Sequence, residues 1–436
     1  MEGFLGRSYF KLDSMTQSAS PLRFWLRLIS PFALCLAIAA PAIFAQLGFW
    51  HPQPIPGAIV SGVAIVAAAF MLGWVGEAAE LDLAGGLAVG LLAIVTILPE
   101  YVVSIYFAFA AGSDPSLIEY ASANVTGANR LLLGFGWPVV AIIGYLALRG
   151  AHRRKAKSLS GLASSSKPEF GIEIDSEART DLGFLLIASL IAIVIPLTGS
   201  LHIIVGILLV MIFVAYLWRQ SHAERDEPEL AGTAAVIGSL PKAVRRGFIA
   251  LIFLLSAAII LACAEPFAHN LIEAGQALGV NQYLLVQWLA PLASEAPEFS
   301  LALLFAAKRK PEMGLAILIS SKVNQWTALA GSLPIAYVVG GGSPAIPMDG
   351  RQSEEFLLTT AQTLMGIALI IGLRLGLRGS AALLGLFLVS FVIPDEGVRL
   401  WMAVAYFIIA FIVLVRQRAL LKETFAAPFK LPKRLV

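Results

Sequence analysis

Two glutamates, each directly preceded by a proline, lie deep inside long apolar runs of this sequence. One stretch reads Thr96-Ile97-Leu98-Pro99-Glu100-Tyr101 and the other Ser294-Glu295-Ala296-Pro297-Glu298-Phe299. A carboxylate near the centre of a bilayer costs about 2.5–3.5 kcal/mol on insertion scales. A proline inside a helix costs about 3 kcal/mol because it removes a backbone donor. Two such costs in matched positions predict a functional site.

The residue types favour binding of a hard cation. We expect each proline to break its helix, so that carbonyls near Thr96 and Ile97 lose their intrahelical partners and become ligands beside Glu100. Ca²⁺ takes about 6–8 oxygen ligands in irregular geometry. The alternative is a simple proline kink whose carboxyl group is hydrogen-bonded to a neighbouring helix. Two matched copies favour the cation site over this alternative.

The composition of the chain is that of a membrane protein. Of its 436 residues 58% are hydrophobic and 14% are charged, and the mean hydropathy is +0.82. Soluble proteins carry about 25% charged residues. The net charge of +3 therefore bears on membrane topology and does not indicate nucleic acid. Cys35 and Cys263 both lie in apolar runs and predict no disulfide framework.

Apolar runs of about 20 residues, the length that crosses a bilayer as a helix, recur along the chain. They predict an all-α polytopic membrane protein of about twelve spans. The predicted limits are 27–48, 57–78, 84–110, 119–148, 181–198, 201–219, 246–268, 282–307, 312–339, 356–374, 378–394 and 398–416. Lys and Arg cluster in alternate connections and in the C-terminal tail, which predicts a cell-membrane protein with both termini in the cytoplasm. A cleaved signal peptide is the alternative for the first span, but its long apolar stretch favours a retained helix.

The two Pro-Glu stretches fall in the third and the eighth spans. Because they are five spans apart, an odd offset, they cross the membrane in opposite directions, which predicts an inverted 5+5 repeat with one extra helix at each end. The predicted parts are an N-terminal segment with the first extra helix, a first repeat, a cytoplasmic linker, a second repeat, and the last helix with a basic tail. They occupy residues 1–56, 57–219, 220–243, 244–394 and 395–436, respectively.

Both stretches resemble the α-repeats of the sodium/calcium exchanger family, within the cation/Ca²⁺ antiporter superfamily. Those repeats read approximately G-T-S-x-P-E, followed on the next helix by G-N-x-x-G-S-N. Here the segment 123–129, Ala-Asn-Val-Thr-Gly-Ala-Asn, is similar to the second motif. The resemblance covers about residues 57–394. It implies a secondary active antiporter that exchanges Ca²⁺ for Na⁺ by alternating access.

The resemblance also implies a set of site residues. Glu100 and Glu298 would be the carboxylates that bind the metal ion. The other cation-binding residues would be Thr96, Ser104, Asn124, Asn129, Ser294, Glu295, Ser321 and Gln325. No cofactor is expected apart from the transported ions, which are Ca²⁺, Na⁺ or H⁺. The expected partners are inorganic cations and the lipid bilayer, without nucleic acid, and the oligomeric state is left open.

The chain departs from the family pattern at several positions. Ile97 and Glu295 replace the second hydroxyl of each stretch, and Leu132 stands where an amide is usual. When the segment 316–325 is aligned as one block with the second motif, Lys322 replaces the last asparagine of the second repeat and Gln325 replaces an Asp or Asn. A gapped alignment that pairs Asn324 with Asn129 is the alternative. Because fewer neutral oxygens suit proton coupling, Ca²⁺/H⁺ or Na⁺/H⁺ antiport is the alternative function.

The extra acid Glu295 and the extra base Lys322 cancel in charge. With Glu100 and Glu298 they leave a net charge of −2, as in a site of two carboxylates. We hypothesise that Lys322 replaces one transported cation, with its ammonium near Glu295. The alternative is that Lys322 extends to the cytoplasmic surface.

An intramembrane enzyme is the competing class of protein. It would need a nucleophile with a basic partner, or a metalloprotease motif. The sequence contains neither G-x-S-x-G nor H-E-x-x-H. The chain is therefore predicted not to be an enzyme.

Overall fold

The computed structural model describes residues 21–82, 86–158, 171–222, 230–393 and 395–430, with the backbone alone at residues 21, 86–97 and 150–158. These residues form a bundle of α-helices. The first half contains α1 Pro21–Gln46, α2 Pro54–Ala79, α3 Gly86–Ala111, α4 Ile118–Leu131, α5 Trp137–Ser158, α6 Ala178–Ala192, α7 Val194–Thr198 and α8 Ile203–Ser221. The second half contains α9 Gly232–Gly238, α10 Lys242–Leu278, α11 Gln282–Ala307, α12 Pro311–Asn324, α13 Ala330–Val339, α14 Gly350–Ile370, α15 Leu377–Val392, α16 Glu396–Arg416 and α17 Arg418–Ala426.

All twelve predicted spans coincide with helical segments. Within the described residues, eight helices are long and apolar enough to cross a membrane, and Leu98–Ala111 and Leu377–Val392 are shorter apolar helices. α14 carries Arg351, Glu354 and Glu355, which lower its hydropathy. The all-α polytopic fold is therefore confirmed, whereas the count of twelve stays a prediction.

The helices are interrupted at a different place from the one predicted. α3 continues through Pro99, and α11 continues through Pro291 and Pro297. The prediction that proline breaks both helices is wrong, because a missing N–H frees only the carbonyl four residues earlier and an α-helix can tolerate that loss. The interruptions are instead two π-helical segments, Leu132–Gly136 after α4 and Gln325–Leu329 after α12. Such π-bulges are frequent at functional sites.

Four short strands reveal the symmetry of the two halves. β1 Ile172–Glu173 pairs with β4 Arg374–Leu375, and β2 Ser200–His202 pairs with β3 Ala345–Pro347, both antiparallel. β1 and β3 occupy equivalent places in the two halves, as do β2 and β4. Each ribbon therefore joins one strand of each half, as expected of an inverted repeat.

The helices of each half also pack against the other half in a symmetric way. α8 of the first half packs against the second π-helix and α13, while α15 of the second half packs against the first π-helix and α5. The first helices of the two repeats, α2 and α10, share an extensive interface. It is close because α2 presents small residues: a Cβ on Gly62 would lie 2.8 Å from the ring of Phe267. This packing brings α3 and α11 to the centre of the bundle.

Candidate cation site

Three carboxyl groups meet inside the bundle. Glu100 comes from α3, whereas Glu295 and Glu298 lie one turn apart on α11 and so share a helix face. The Glu295 carboxyl is within hydrogen-bonding reach of both Glu100 and Glu298. Glu100 is 3% exposed and Glu295 is 2% exposed. The structure thus joins the two Pro-Glu elements through Glu295.

The helix after α11 supplies donors to this cluster. Ser321 Oγ on α12 donates to Oε2 of Glu298, and Gln325 Nε2 donates to Oε1 of Glu295. Gln325 is the first residue of the second π-helix. Its amide therefore lies where the regular backbone hydrogen-bond pattern changes. The predicted site residues Glu100, Glu295, Glu298, Ser321 and Gln325 form one contiguous cluster.

Several oxygens of the cluster have capacity for a ligand. Among the described residues, Oε1 of Glu100, Oε2 of Glu295 and Oε1 of Gln325 are buried without a hydrogen-bond partner. A buried acceptor without a partner is costly. A hard cation is bound by carboxylate and amide oxygens of this kind. The cluster can therefore accept protons. In the described part of the chain no three acidic, His or Cys side chains are arranged to hold a metal ion, so a bound cation would require these carboxyl groups to rearrange around it.

Lys322 contacts a different residue from the one predicted. Its side chain is fully buried, and Nζ donates to Oδ1 of Asn129 at 2.7 Å and to the Asn129 carbonyl at 3.2 Å. Nζ also lies 4.9 Å from the centre of the Trp326 ring. The expected contact with Glu295 is not formed, because the side chain extends across the bundle to α4. Its burial also excludes the alternative that it extends to the surface.

The other predicted site residues lie around this centre. Ser104 Oγ accepts a hydrogen bond from Asn124 Nδ2 at 2.5 Å, so these two polar groups pair with each other. Ser294 Oγ donates within its own helix, to the carbonyls of Ala290 and Pro291 at 3.2 Å. The side chain of Thr96 lies outside the described residues. These four residues stay predictions as cation ligands.

One polar contact and one close helix contact near the site were not predicted. Tyr101 OH donates to Oδ1 of Asn324 at 3.2 Å, joining the aromatic residue after Glu100 to the end of α12. Gln287 is buried on α11, and its carbonyl lies against α4 at Gly127, where a Cβ would come within 1.8 Å. The sequence signal for Gln287 is an uncharged amide inside an apolar span.

The cluster allows exchange of ions by simple charge balance. Three carboxylates and one ammonium give a net charge of −2 when the carboxylates are ionised and Lys322 is protonated. Two carboxyl groups can share a hydrogen bond only when one of them carries a proton. Protons and a divalent cation at this cluster would therefore compete for the same oxygens.

Comparisons with a family model and with solved structures found matches. The model of the family "Sodium/calcium exchanger protein" matches residues 54–221 and 248–419. The solved structure of the H⁺/Ca²⁺ exchanger CAX is 33% identical with a TM-score of 0.85, and the match covers 93% of this chain and 98% of that one. Native YfkE shares the fold at 18% identity and a TM-score of 0.57, over 88% of this chain and 99% of that one. No match was found among curated proteins.

Proposed function

The chain belongs to the sodium/calcium exchanger protein family, and we propose that it exchanges Ca²⁺ for protons across the cell membrane, with both termini in the cytoplasm. The family and the similar solved structures are membrane transporters of cations, so the prediction that the chain is not an enzyme is confirmed. The observation that carries the proposal is the meeting of three carboxyl groups, in which the buried Glu295 lies within hydrogen-bonding reach of the buried Glu100 and of the partly buried Glu298.

Charge balance supports protons as the counter-ion. With Lys322 protonated, the cluster is neutral when it holds one Ca²⁺ and is again neutral when two of its carboxyls are protonated. In both states the cluster can change the side of the membrane to which it is open without holding an uncompensated charge, which would be costly in the bilayer interior. The state with a net charge of −2 would be disfavoured, so release of one ion is linked to binding of the other.

The oxygen inventory also supports protons over Na⁺. A carboxyl group takes a proton by itself, whereas Na⁺ needs several further oxygens. One neutral oxygen is already engaged, because Oδ1 of Asn129 accepts from Lys322, whereas Asn124 donates only its Nδ2 to Ser104 and keeps Oδ1 without a partner. The relative that is 33% identical carries the name of an H⁺/Ca²⁺ exchanger, which supports the same counter-ion. Na⁺ as the counter-ion is the expectation from the wider family and the alternative to be tested.

Alternating access would follow from the inverted repeat. Glu100 belongs to one half and Glu295 with Glu298 to the other, so relative movement of the halves would change which side of the membrane reaches the cluster. The two strand ribbons, β1–β4 and β2–β3, also join the halves on the two sides of the bundle. We expect them to limit the extent of that movement.

The test is ⁴⁵Ca²⁺ uptake into proteoliposomes that contain the full chain. Uptake is driven in separate experiments by an outward proton gradient and by an outward Na⁺ gradient. We expect the proton gradient to drive uptake, and Glu100→Gln and Glu298→Gln each to reduce it by about 100-fold or more, because each removes a charge from a buried cation site.

The matched control is Glu312→Gln, which changes an exposed carboxyl in the first turn of α12. It is expected to transport as the unchanged protein does. Uptake driven only by the Na⁺ gradient would show that the counter-ion is Na⁺ and not the proton. The absence of Ca²⁺ uptake under both gradients, from protein that reconstitutes normally, would overturn the proposal and direct attention to Na⁺/H⁺ exchange.

A further inference from the structure

We propose that the Lys322 ammonium occupies a subsite for a monovalent cation, so that the protein binds one divalent cation without a co-bound alkali-metal ion. This inference deepens the proposed function, on which it rests, by assigning the determinant of ion selectivity. The place of Lys322 in the repeat is defined by the π-helices. The two π-helices begin at Leu132 and Gln325, and each begins three residues after Asn129 or Lys322, respectively. Lys322 is therefore the counterpart of Asn129, which excludes the gapped alignment with Asn324.

The two counterparts also touch each other. Equivalent residues of an inverted repeat can meet only close to the axis that relates the halves. Nζ of Lys322 reaches Oδ1 of Asn129 at 2.7 Å and its backbone carbonyl at 3.2 Å. The ammonium is thus centred between the repeats, and it lies near enough to Glu100 to attract it electrostatically.

The surroundings of Nζ are those of a bound cation. An amide oxygen and a carbonyl oxygen are ligands that hard monovalent ions accept, and here an ammonium takes both as a donor. The Trp326 ring, at 4.9 Å, adds the negative face of an aromatic system. Lys322 is 0% exposed, so the group is held by protein alone. An amide at position 322 would leave these oxygens free and would remove one positive charge.

The charge of the site then decides what it binds. With Lys322 present, one divalent cation balances the three carboxylates and the ammonium. Without the ammonium the net charge becomes −3, and one additional monovalent ion is required beside the divalent cation. Lys322 thereby makes the binding of the divalent cation independent of Na⁺. Without Lys322, Na⁺ would either compete with the divalent cation or bind beside it.

The experiment measures binding of ²²Na⁺ and of ⁴⁵Ca²⁺ to purified full-length protein in detergent. In the unchanged protein we expect Na⁺ to leave Ca²⁺ affinity unaltered. In Lys322→Asn we expect saturable ²²Na⁺ binding and an increase of Ca²⁺ affinity by about tenfold when Na⁺ is added. The matched control, Lys242→Gln, neutralises an exposed lysine and should behave as the unchanged protein. Equal ²²Na⁺ binding by Lys322→Asn and the unchanged protein would overturn the inference.

A second comparison covers the case in which Lys322→Asn does not fold. Lys322→Met leaves a site charge of −3, Glu295→Gln leaves −1, and the double variant restores −2. We expect the double variant to bind Ca²⁺ at least about tenfold more tightly than either single variant. A double variant no better than the singles would overturn the inference. Because these readouts are binding constants, they separate from failure of the proposed function, which would show as missing proton-driven transport by the unchanged protein.

Discussion

The helices that follow the two Pro-Glu elements, α4 with α5 and α12 with α13, share a backbone and differ in chemistry. Both contain a π-helix at the equivalent place. In the second half Ser321 and Gln325 donate to Glu298 and Glu295, whereas their counterparts in the first half are Ala128 and Leu132. The symmetry of the fold is therefore a property of the backbone. The site is chemically asymmetric, because the side chains that donate hydrogen bonds to its carboxyl groups come mainly from the second half.

The first half places its charge elsewhere. Arg130, whose counterpart is Val323, is 1% exposed and forms an ion pair with Glu355 of α14. It also donates to Ser390 Oγ at 2.8 Å and lies 5.1 Å from the ring of Trp288. The position after Asn129 thus anchors the first repeat to the second. α4 thus holds the two halves together through Arg130, whereas its counterpart α12 supplies a donor to the carboxyl cluster through Ser321.

The largest effect on stability is expected from breaking this anchor. Glu355→Gln leaves the Arg130 guanidinium buried without its carboxylate, and loss of one partner of a buried pair costs about 3–5 kcal/mol. Arg130→Met should cost less, because Glu355 retains Arg399 Nε at 3.7 Å. The apparent melting temperature in detergent checks the order. A larger loss for Arg130→Met would contradict this account of the pair.

A mid-sized effect is expected at the closest approach between α4 and α11. Gly127→Ala places a Cβ within 1.8 Å of the Gln287 carbonyl, and overpacking of this kind costs about 1–3 kcal/mol. The counterpart is Ser320, which has room for a side chain and pairs with Tyr216 OH at 3.0 Å. Ser320→Ala should cost about 1 kcal/mol. Equal melting temperatures for the two variants would show that the crossing of α4 over α11 is looser than described.

The smallest effect concerns the hydroxyl that distinguishes the two glutamates. Ser321→Ala removes the donor to Glu298 and should change Ca²⁺ affinity by about fivefold, since one hydrogen bond contributes about 1 kcal/mol net. Ala128→Ser adds a hydroxyl at the counterpart position beside α3, with an expected change of about threefold or less. Equilibrium ⁴⁵Ca²⁺ binding measures both. A larger effect at position 128 than at 321 would contradict the assignment of the second half as the main donor.

Much of the fold followed from local features of the sequence. Apolar runs located every helix of the two repeats, because a bilayer imposes the same length and hydropathy on each span. The matched Pro-Glu stretches predicted an inverted repeat, and the crossed strand ribbons agree with it. The π-helices were not predicted, since no residue type in Leu132–Gly136 or Gln325–Leu329 is by itself a signal for one.

The sequence by itself determined that two glutamates would lie inside a membrane bundle in opposed helices, because hydropathy and proline act locally. Only the tertiary structure decided the partners. Glu295 lies between Glu100 and Glu298, and Lys322 reaches Asn129 instead of the nearby acid. The sum of charges in the sequence indicates that Glu295 and Lys322 offset each other, but it does not predict which atoms are in contact. That depends on the crossing of α4, α11 and α12, which is set by shape and close backbone contact over the whole bundle.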